Sequence, residues 1–133
     1  EKDALFAGEL SGHYYFKENS FAESSALAVL FIANLVSQSD KPLSQLIAPI
    51  QRYFASGEIN STVADAPAVL KKLRAKYANA SILELDGLSF EYPTWWFNVR
   101  SSNTEPLVRL NLEAKTKAEM ERRRDEVIAL IRG

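Results

Sequence analysis

The sequence contains 133 residues, of which 47% are hydrophobic and 25% are charged, and its 16 basic and 17 acidic residues leave a net charge of −1. This balance is typical of a globular chain with a core, and it provides no field strong enough to select nucleic acid or an acidic membrane as partner. The absence of cysteine excludes disulfides and cysteine-based zinc sites, and a single histidine leaves no histidine cluster for a metal.

No membrane segment and no leader are predicted. The longest apolar stretch, residues 26–36, is too short to span a bilayer and contains Asn34. The N-terminal residues lack the basic start and apolar middle of a signal peptide. We therefore expect a cytoplasmic protein that binds neither membrane nor nucleic acid. Because the chain starts without Met and enters an apolar run almost at once, we also expect a fragment of a longer protein.

A strand, a polar loop and a helix are predicted at the N-terminal end. Residues 4–7 are predicted to end a buried strand, residues 8–20 to form a loop, and residues 21–37 to form an Ala-rich helix with apolar residues at three- and four-residue spacing. This order is half of a parallel βαβ unit. Such a half cannot bury both of its faces alone, so we expect it to need partners.

A second domain is predicted to follow. Residues 37–42 are polar and make the best linker candidate, with Pro42 near a helix start. Pro49 should kink or end the helix that begins there. Residues 57–63 are a plausible strand, and Asp65 opens another helix.

The helix after Asp65 is amphipathic. Its apolar face consists of Val69, Leu70, Leu73 and Tyr77. Lys71, Lys72, Arg74 and Lys76 lie mostly away from that face. This basic cluster fits a solvated helix face better than a binding patch, because charges on the outer face of an amphipathic helix are the common arrangement.

Alternation of apolar and polar residues predicts antiparallel strands in the last half of the chain. Residues 81–85 and 88–92 flank Asp86-Gly87, a strong signal for a tight hairpin. Residues 95–100 and 108–113 alternate strictly, as in a sheet covered on one face. Thr116-Lys-Ala-Glu119 is a capping box that starts the last helix. The predicted fold class is α+β: an antiparallel sheet of about four strands with helices on one face, preceded by a strand-loop-helix remnant of an α/β domain.

The segment Gly8-Glu-Leu-Ser-Gly-His13 is the first candidate site. Ligands of open α/β sheets bind at the carboxyl ends of strands, where this segment is predicted to lie. Glu9 and Ser11 are two residues apart, so on an extended segment both point the same way, and a carboxylate beside a hydroxyl suits adjacent sugar hydroxyls. His13 can shuttle a proton or donate to a phosphate oxygen. The same pattern is typical of a plain turn with an incidental histidine.

The segment Arg100-Ser-Ser-Asn-Thr104 is the second candidate site. An arginine offers a planar fork that can grip a phosphate with two bonds. Hydroxyls and successive backbone N–H groups in a tight turn form an anion-binding nest. The alternative is a wide hairpin with polar turn residues. Asp86-Gly87 predicts that this domain uses a tight hairpin where only a turn is needed. The longer segment at residues 100–104, rich in hydrogen-bond donors, therefore favours a phosphate site over a simple turn.

Taken together, the two segments resemble the signatures of the α-D-phosphohexomutases. The first resembles that family's sugar-binding G-E-x-S-G-H signature, and Arg100-Ser-Ser-Asn-Thr-Glu-Pro106 resembles its R-x-S-N-T-x-P phosphate loop. Between them, Gly57-Glu-Ile-Asn60 is similar to a G-E-I-N strand. Asp86-Gly87, followed by a strand and Trp95-Trp-Phe97, resembles the D-G-[VL] and W-x-x-x-R run that leads into the phosphate loop. The resemblance covers essentially the whole chain. The subgroup most resembled is phosphomannomutase/phosphoglucomutase, since phosphoglucosamine mutases usually carry Gln where this chain has Leu10.

The resemblance implies a four-domain enzyme that interconverts hexose 1-phosphate and 6-phosphate, such as those of glucose or mannose, through a bisphosphorylated intermediate. Residues 1–39 would be the tail of the third, sugar-binding domain, and residues 40–133 the fourth, phosphate-binding domain with a TATA-binding-protein-like sheet. Glu9 and Ser11 would hold the 3- and 4-hydroxyls of the sugar, with His13 near the reacting phosphate. The implied phosphate ligands are Arg100, Ser102, Asn103 and Thr104.

Two family signatures are missing from this sequence. These are the T-x-S-H-N-P loop with the phosphoserine and the D-x-D-x-[DR] loop that holds Mg²⁺. The resemblance therefore implies that the nucleophile and Mg²⁺ belong to the remaining domains of the parent enzyme, and that this chain binds no metal and is inactive alone. Two alternatives stay open: a stand-alone phosphosugar-binding module, and a fragment of a phosphoglucosamine mutase. A nucleic-acid binder by analogy with the TATA-box fold is disfavoured by the charge.

Overall fold

The computed structural model of the chain describes residues 3–9 and 11–133. They form two compact units that divide between Ile50 and Gln51. The comparison drawn at Leu10 lies outside the described residues. No described helix has the length and apolar character needed to cross a membrane.

The first unit is a β-hairpin followed by two helices. Strand β1 (Phe6–Gly8) pairs antiparallel with strand β2 (Tyr14–Phe16). A 3₁₀ turn (Lys17–Asn19) leads to helix α1 (Ser25–Ser37), and helix α2 (Leu43–Ile47) follows. Helix α2 ends before Pro49, as expected of a residue that lacks a backbone N–H.

Three expectations for the first unit are wrong within the described chain. Strand β1 is exposed rather than buried, with Phe6 52% exposed, and the segment predicted as loop contains β2. Helix α1 begins four residues later than predicted, because Ser20 and Phe21 adopt left-handed backbone (φ 53° and 56°) that cannot continue a right-handed helix. The exposed apolar residues of α1 are Val29, Leu30, Phe31, Ile32 and Leu35. Their exposure agrees with the expectation that this segment needs partners.

The second unit is an antiparallel sheet with two helices on one face. Its strands are β3 (Phe54–Ala55), β4 (Ile59–Thr62), β5 (Ser81–Leu83), β6 (Leu88–Glu91), β7 (Trp95–Ser101) and β8 (Leu107–Ala114), and its helices are α3 (Ala66–Lys76) and α4 (Lys117–Arg132). The order is β3–β8–β7–β6–β5, with β4 also pairing with β8. The α+β class and the antiparallel sheet are confirmed. The sheet has six strands rather than about four, because the long β8 pairs on one edge with both β3 and β4.

The alternation predicted for β7 and β8 is confirmed. Every second residue is buried from Trp95 to Val99 in β7 and from Val108 to Ala114 in β8, and the residues between them are half-buried. The buried core consists of Leu73, Tyr77, Leu88, Phe90, Trp95, Phe97, Val99, Val108, Leu110, Leu112, Ala114, Met120, Val127 and Ile131. This packing holds β7 along its length, and β7 ends in Arg100 and Ser101, the first residues of the second candidate segment.

Side-chain caps begin both helices of the second unit, as the sequence predicts. The Asp65 carboxylate accepts a hydrogen bond from the Ala68 N–H at 2.9 Å, and the Thr116 hydroxyl accepts one from the Glu119 N–H at 3.2 Å. Each bond satisfies an N–H that has no partner inside the helix. The Glu119 carboxylate also accepts a hydrogen bond from Thr94 at 3.1 Å, which ties α4 to the turn before β7.

The turn between β5 and β6 is wider than predicted. Leu83 pairs with Ser89, and Leu85, which was expected to flank a two-residue turn, is 88% exposed. Gly87 has φ +75°, and a Cβ at this position would lie 2.4 Å from the Val99 carbonyl oxygen and 2.7 Å from the Arg100 Cα. A glycine is therefore what lets this turn lie directly against β7 beside Arg100.

Candidate functional site

A cavity of about 370 Å³ lies beside the loop that joins β7 to β8. It is lined by Asp86, Gly87, Arg100, Ser101, Ser102, Asn103, Thr104 and Arg109. Apart from the glycine, every lining residue has a polar or charged side chain. The structure thus brings together the four residues predicted to bind phosphate, and their role stays a prediction.

The loop after β7 is held by its own polar groups. The Ser102 N–H donates to the Leu107 carbonyl at 2.9 Å and closes the base of the loop. The Ser102 hydroxyl lies 3.4 Å from both the Thr104 hydroxyl and the Thr104 N–H. These distances are long for hydrogen bonds, so the two hydroxyls and the N–H are weakly engaged and free to bind a ligand.

Two arginines stand side by side at the cavity. Arg100 on β7 is the direct cross-strand neighbour of Arg109 on β8. Like charges in this position repel each other. The Glu58 carboxylate, just before β4, lies 3.7 Å from Arg100 Nη2 and 3.4 Å from Arg109 Nη1, and Asp86 lies 3.3 Å from Arg100 Nη1. The cluster therefore contains two guanidinium groups and two carboxylates.

The ion pairs of this cluster are loose. The Arg100 side chain is 37% exposed and that of Asp86 is 75% exposed, and the distances exceed the roughly 2.7–2.9 Å of a tight charge-assisted hydrogen bond. Water screens such pairs, which typically contribute about 0–1 kcal/mol. Neither arginine is buried against its carboxylates, so both keep N–H donors for an anion.

The segment from Gly8 to His13 forms the turn of the β1–β2 hairpin. The Glu9 N–H donates to the His13 carbonyl at 2.9 Å, and the Gly12 N–H donates to the Glu9 carbonyl at 3.0 Å. Gly12 has φ +88°, in the left-handed region that favours glycine. The chain reversal places the side chain of Glu9 close to that of Tyr15 on β2.

The Glu9 carboxylate accepts hydrogen bonds through both of its oxygens. The Tyr15 hydroxyl donates to one at 2.7 Å, and the Ser11 hydroxyl donates to the other at 2.9 Å. The bond from Tyr15, followed by that from Ser11, lowers the pKa of Glu9, and the same bond to Glu9 raises the pKa of Tyr15. Glu9 and Ser11 lie side by side as their spacing predicts. Tyr15 was missed, because residues 14–16 had to be recognised as a strand before its position became apparent.

His13 lies beside a different carboxylate. Its Nδ1 is 3.7 Å from Oε1 of Glu23, and its side chain is 54% exposed. Hydrogen bonds from the Ser25 hydroxyl at 2.8 Å and the Ser25 N–H at 3.0 Å lower the pKa of Glu23. His13 is therefore an accessible imidazole beside the Glu23 carboxylate.

Replacing Tyr15 with Phe is expected to raise the pKa of Glu9, because the largest cause of its depression disappears. A depressed pKa contributes stability above the ordinary pKa of the carboxyl group, and that contribution is lost as the pH falls through the folded-state value. Tyr15→Phe should therefore make the stability contribution of Glu9 depend less on pH. Carboxyl-carbon NMR of Glu9 from neutral to acid pH measures the shift, with Tyr14→Phe as the matched control. Equal pKa values in the wild type and Tyr15→Phe would refute the assignment.

Comparisons with known proteins place both candidate segments in one family. The family model described as "Phosphoglucomutase/phosphomannomutase, C-terminal domain" matches residues 58–130, and that described as "Phosphoglucomutase/phosphomannomutase, alpha/beta/alpha domain III" matches residues 1–53. The chain belongs to the phosphoglucomutase/phosphomannomutase family. The resemblance drawn from the two signatures is thereby confirmed.

Individual members of the family agree with this assignment. A phosphomannomutase of Methanocaldococcus jannaschii is 44% identical over 131 residues, which cover 98% of this chain and 29% of that protein. A phosphomannomutase of Escherichia coli is 40% identical over 136 residues, which cover 99% of this chain and 30% of that protein. The crystal structure of a phosphoglucomutase/phosphomannomutase family protein from Burkholderia thailandensis matches with a TM-score of 0.76 and 30% identity, covering 96% of this chain and 28% of that one. The chain thus spans about 30% of the length of these curated relatives.

Sequence reasoning missed three charged residues of the phosphoglucomutase/phosphomannomutase C-terminal unit. Arg109 was assigned only to the polar face of a strand, Asp86 only to a turn, and Glu58 only to a family-like strand. Glu58 and Arg109 are 51 positions apart in sequence. The strand register brings them together, and no local pattern reports that register.

Proposed function

We propose that the cavity beside the β7–β8 loop binds the phosphate group of a hexose phosphate. The observation that carries this proposal is the convergence of Arg100, Ser102, Asn103 and Thr104 on one polar cavity. The guanidinium supplies a planar pair of donors, and the hydroxyls and the amide complete the donor set. A volume of about 370 Å³ lies within the range of small-molecule sites, roughly 300–1,000 Å³. Arg109 lines the same cavity and adds a second guanidinium.

For the hairpin turn of the first unit we propose the complementary role. The ionised Glu9 carboxylate and the Ser11 hydroxyl would bind adjacent hydroxyls of the hexose ring, with Tyr15 holding the carboxylate in place. His13 would lie near the reacting phosphate, where an N–H of its imidazole could donate to a phosphate oxygen. The distances within this turn support the pairing of Glu9 with Ser11.

On family membership we propose that the chain is the substrate-binding C-terminal part of a phosphomannomutase/phosphoglucomutase. Residues 1–39 would end its sugar-binding domain, and residues 40–133 would form its phosphate-binding domain, although the two compact units divide after Ile50. The parent enzyme would interconvert hexose 1-phosphate and 6-phosphate through a bisphosphorylated intermediate. A phosphate anchor and a diol anchor can hold the sugar in either orientation, and this remote binding energy positions the reacting phosphate.

The relatives favour this proposal over the two alternatives. They are named phosphomannomutases, which favours that subgroup over phosphoglucosamine mutase. They are also about three times as long as this chain, which favours part of an enzyme over a stand-alone binding module. A cytoplasmic location stays a prediction.

Family membership implies a divalent metal in the parent enzyme, and we propose Mg²⁺. Within residues 3–9 and 11–133, no group of three or more His, Asp or Glu side chains is arranged to hold a metal ion. Because the two family signatures that would carry them are missing from this sequence, we propose that the metal ligands and the phosphoserine belong to the remaining domains. The chain alone is expected to show no mutase activity.

An NMR titration of the chain with inorganic phosphate or glucose 1-phosphate tests the phosphate site. Amide shifts are expected to centre on residues 101–104. Arg100→Ala should weaken binding by about 10- to 100-fold, because hydrogen bonds to charged groups contribute roughly 1.5–3 kcal/mol. Arg124→Ala is the matched control, since it removes the same charge from α4, where Arg124 pairs with Asp125.

Two outcomes of this titration would count against the phosphate site. One is a set of shifts scattered over other parts of the second unit. The other is an Arg100→Ala chain that binds phosphate as tightly as the Arg124→Ala chain does.

A further inference from the structure

We propose that Glu58 is an internal competitor for the phosphate: its carboxylate occupies the position between the two arginines and limits how tightly the cavity holds a dianion. This inference rests on the proposed phosphate site and adds a residue that sets its affinity. The Glu58 carboxylate presents one oxygen to each guanidinium, Oε2 toward Arg100 Nη2 at 3.7 Å and Oε1 toward Arg109 Nη1 at 3.4 Å. An incoming phosphate would use the same N–H donors.

The burial of the cluster singles out Glu58 from the other carboxylate. The Glu58 side chain is 25% exposed, whereas that of Asp86 is 75% exposed. Solvent therefore screens the charge of Asp86 more strongly than that of Glu58. Of the two arginines, the Asp86 carboxylate pairs only with Arg100, whereas the Glu58 carboxylate pairs with both. Removing the charge of Glu58 should change the anion affinity more than removing that of Asp86.

The formal charges of the cluster cancel, because two guanidinium groups face two carboxylates. A dianion that enters such a cluster gains hydrogen bonds but little net attraction from charge. Each guanidinium has five N–H donors and can turn some of them from Glu58 to a phosphate oxygen. The distances of 3.4 and 3.7 Å leave these contacts weak enough to exchange.

Limited affinity suits the proposed reaction. The bisphosphorylated intermediate carries a phosphate at each end, and the cavity has to release one of them and bind the other. The bound phosphate must therefore dissociate in every catalytic cycle. Tight binding that is equal in the ground state and the transition state lowers KM without raising kcat. A carboxylate that competes for the arginines keeps phosphate binding reversible. The hydroxyls and N–H groups of the β7–β8 loop still fix the position of the bound phosphate.

A structural role for Glu58 makes the opposite prediction. If the carboxylate served only to hold Arg100 and Arg109 against their repulsion, its loss would splay the arginines and weaken anion binding. Glu58→Gln separates the two roles, because the amide keeps the shape of the side chain and removes its charge. Competition predicts that the chain with Glu58→Gln binds inorganic phosphate more tightly, on the order of 5-fold, with a steeper dependence on salt.

The experiment is a calorimetric titration of the full chain with inorganic phosphate. Glu121→Gln is the matched control, because Glu121 lies on α4 and pairs with Lys117 at 3.8 Å. It should bind phosphate as the wild type does. Glu58→Asp keeps the charge and should stay near the wild-type affinity. Asp86→Asn should bind more tightly than the wild type, but with a smaller gain than Glu58→Gln.

Each outcome decides the inference. Tighter binding by Glu58→Gln with an unchanged Glu121→Gln supports it. Equal or weaker binding by a folded Glu58→Gln chain overturns it and leaves the proposed phosphate site standing. If Glu58→Gln fails to fold, Asp86→Asn tests the same competition, and an affinity no greater than that of the wild type overturns it. If neither the wild type nor any variant binds phosphate, the proposed function fails and the inference fails with it.

Discussion

Gly87→Ala is expected to destabilise the second unit by about 2–5 kcal/mol. The added methyl group would lie 2.4 Å from the Val99 carbonyl oxygen and 2.7 Å from the Arg100 Cα. Both atoms belong to the backbone of β7 and cannot turn aside as a flexible side chain does. The left-handed φ of +75° adds strain that only glycine avoids. The turn must therefore move away from β7, and this movement opens the wall of the cavity beside Arg100.

Urea unfolding followed by tryptophan fluorescence measures this loss. The only two tryptophans, Trp95 and Trp96, lie on β7, so the signal reports the second unit alone. Gly57→Ala is a matched control, because Gly57 also has a left-handed φ of +69° but no atom within 4 Å of an added Cβ. It should cost only the backbone strain, about 1–2 kcal/mol. If both variants lose the same stability, close approach to β7 is not what requires glycine at position 87.

The sequence predicts the second unit better than the first, and the reason is burial. In β7 and β8 one face packs on helices of the same unit, so alternation records which residues lie on the covered face. In the first unit most apolar residues of β1 and α1 are exposed within the described chain. Their pattern shows that these surfaces need covering, but it does not distinguish a buried strand from one arm of an exposed hairpin.

The candidate site was predictable where its residues are contiguous. Residues 100–104 are one contiguous segment that runs from the end of β7 into the following loop, and Glu9 and Ser11 belong to one turn, so their spacing alone places them together. The charged cluster is different, because Glu58, Asp86 and Arg109 come from three separate elements that meet only through the strand register. Such long-range pairings leave no trace in local composition, and the structure was needed to find them.

Phe97→Ala is expected to cost the second unit about 3–5 kcal/mol. The Phe97 side chain is fully buried at the centre of an aromatic cluster. Its ring centroid lies 4.5 Å from that of Phe90, 5.0 Å from that of Tyr77 and 5.4 Å from that of Trp95. Truncation removes these contacts and leaves a cavity that rigid strands cannot fill. Because domains of this size have a total stability of roughly 5–15 kcal/mol, the variant should lie close to its unfolding threshold.

The consequence for the site follows from the position of Phe97 on β7, three residues before Arg100. The urea midpoint reported by tryptophan fluorescence and the loss of phosphate binding should coincide in Phe97→Ala, because the same strand carries the core and the arginine. Phosphate should raise the midpoint of the wild type and of the variant, since a ligand that binds only the folded state stabilises it. Phe54→Ala is the control, because Phe54 is 49% exposed and its truncation should cost well under half as much. A Phe97→Ala chain that unfolds at the same urea concentration as Phe54→Ala would show that the aromatic cluster does not hold β7 in place.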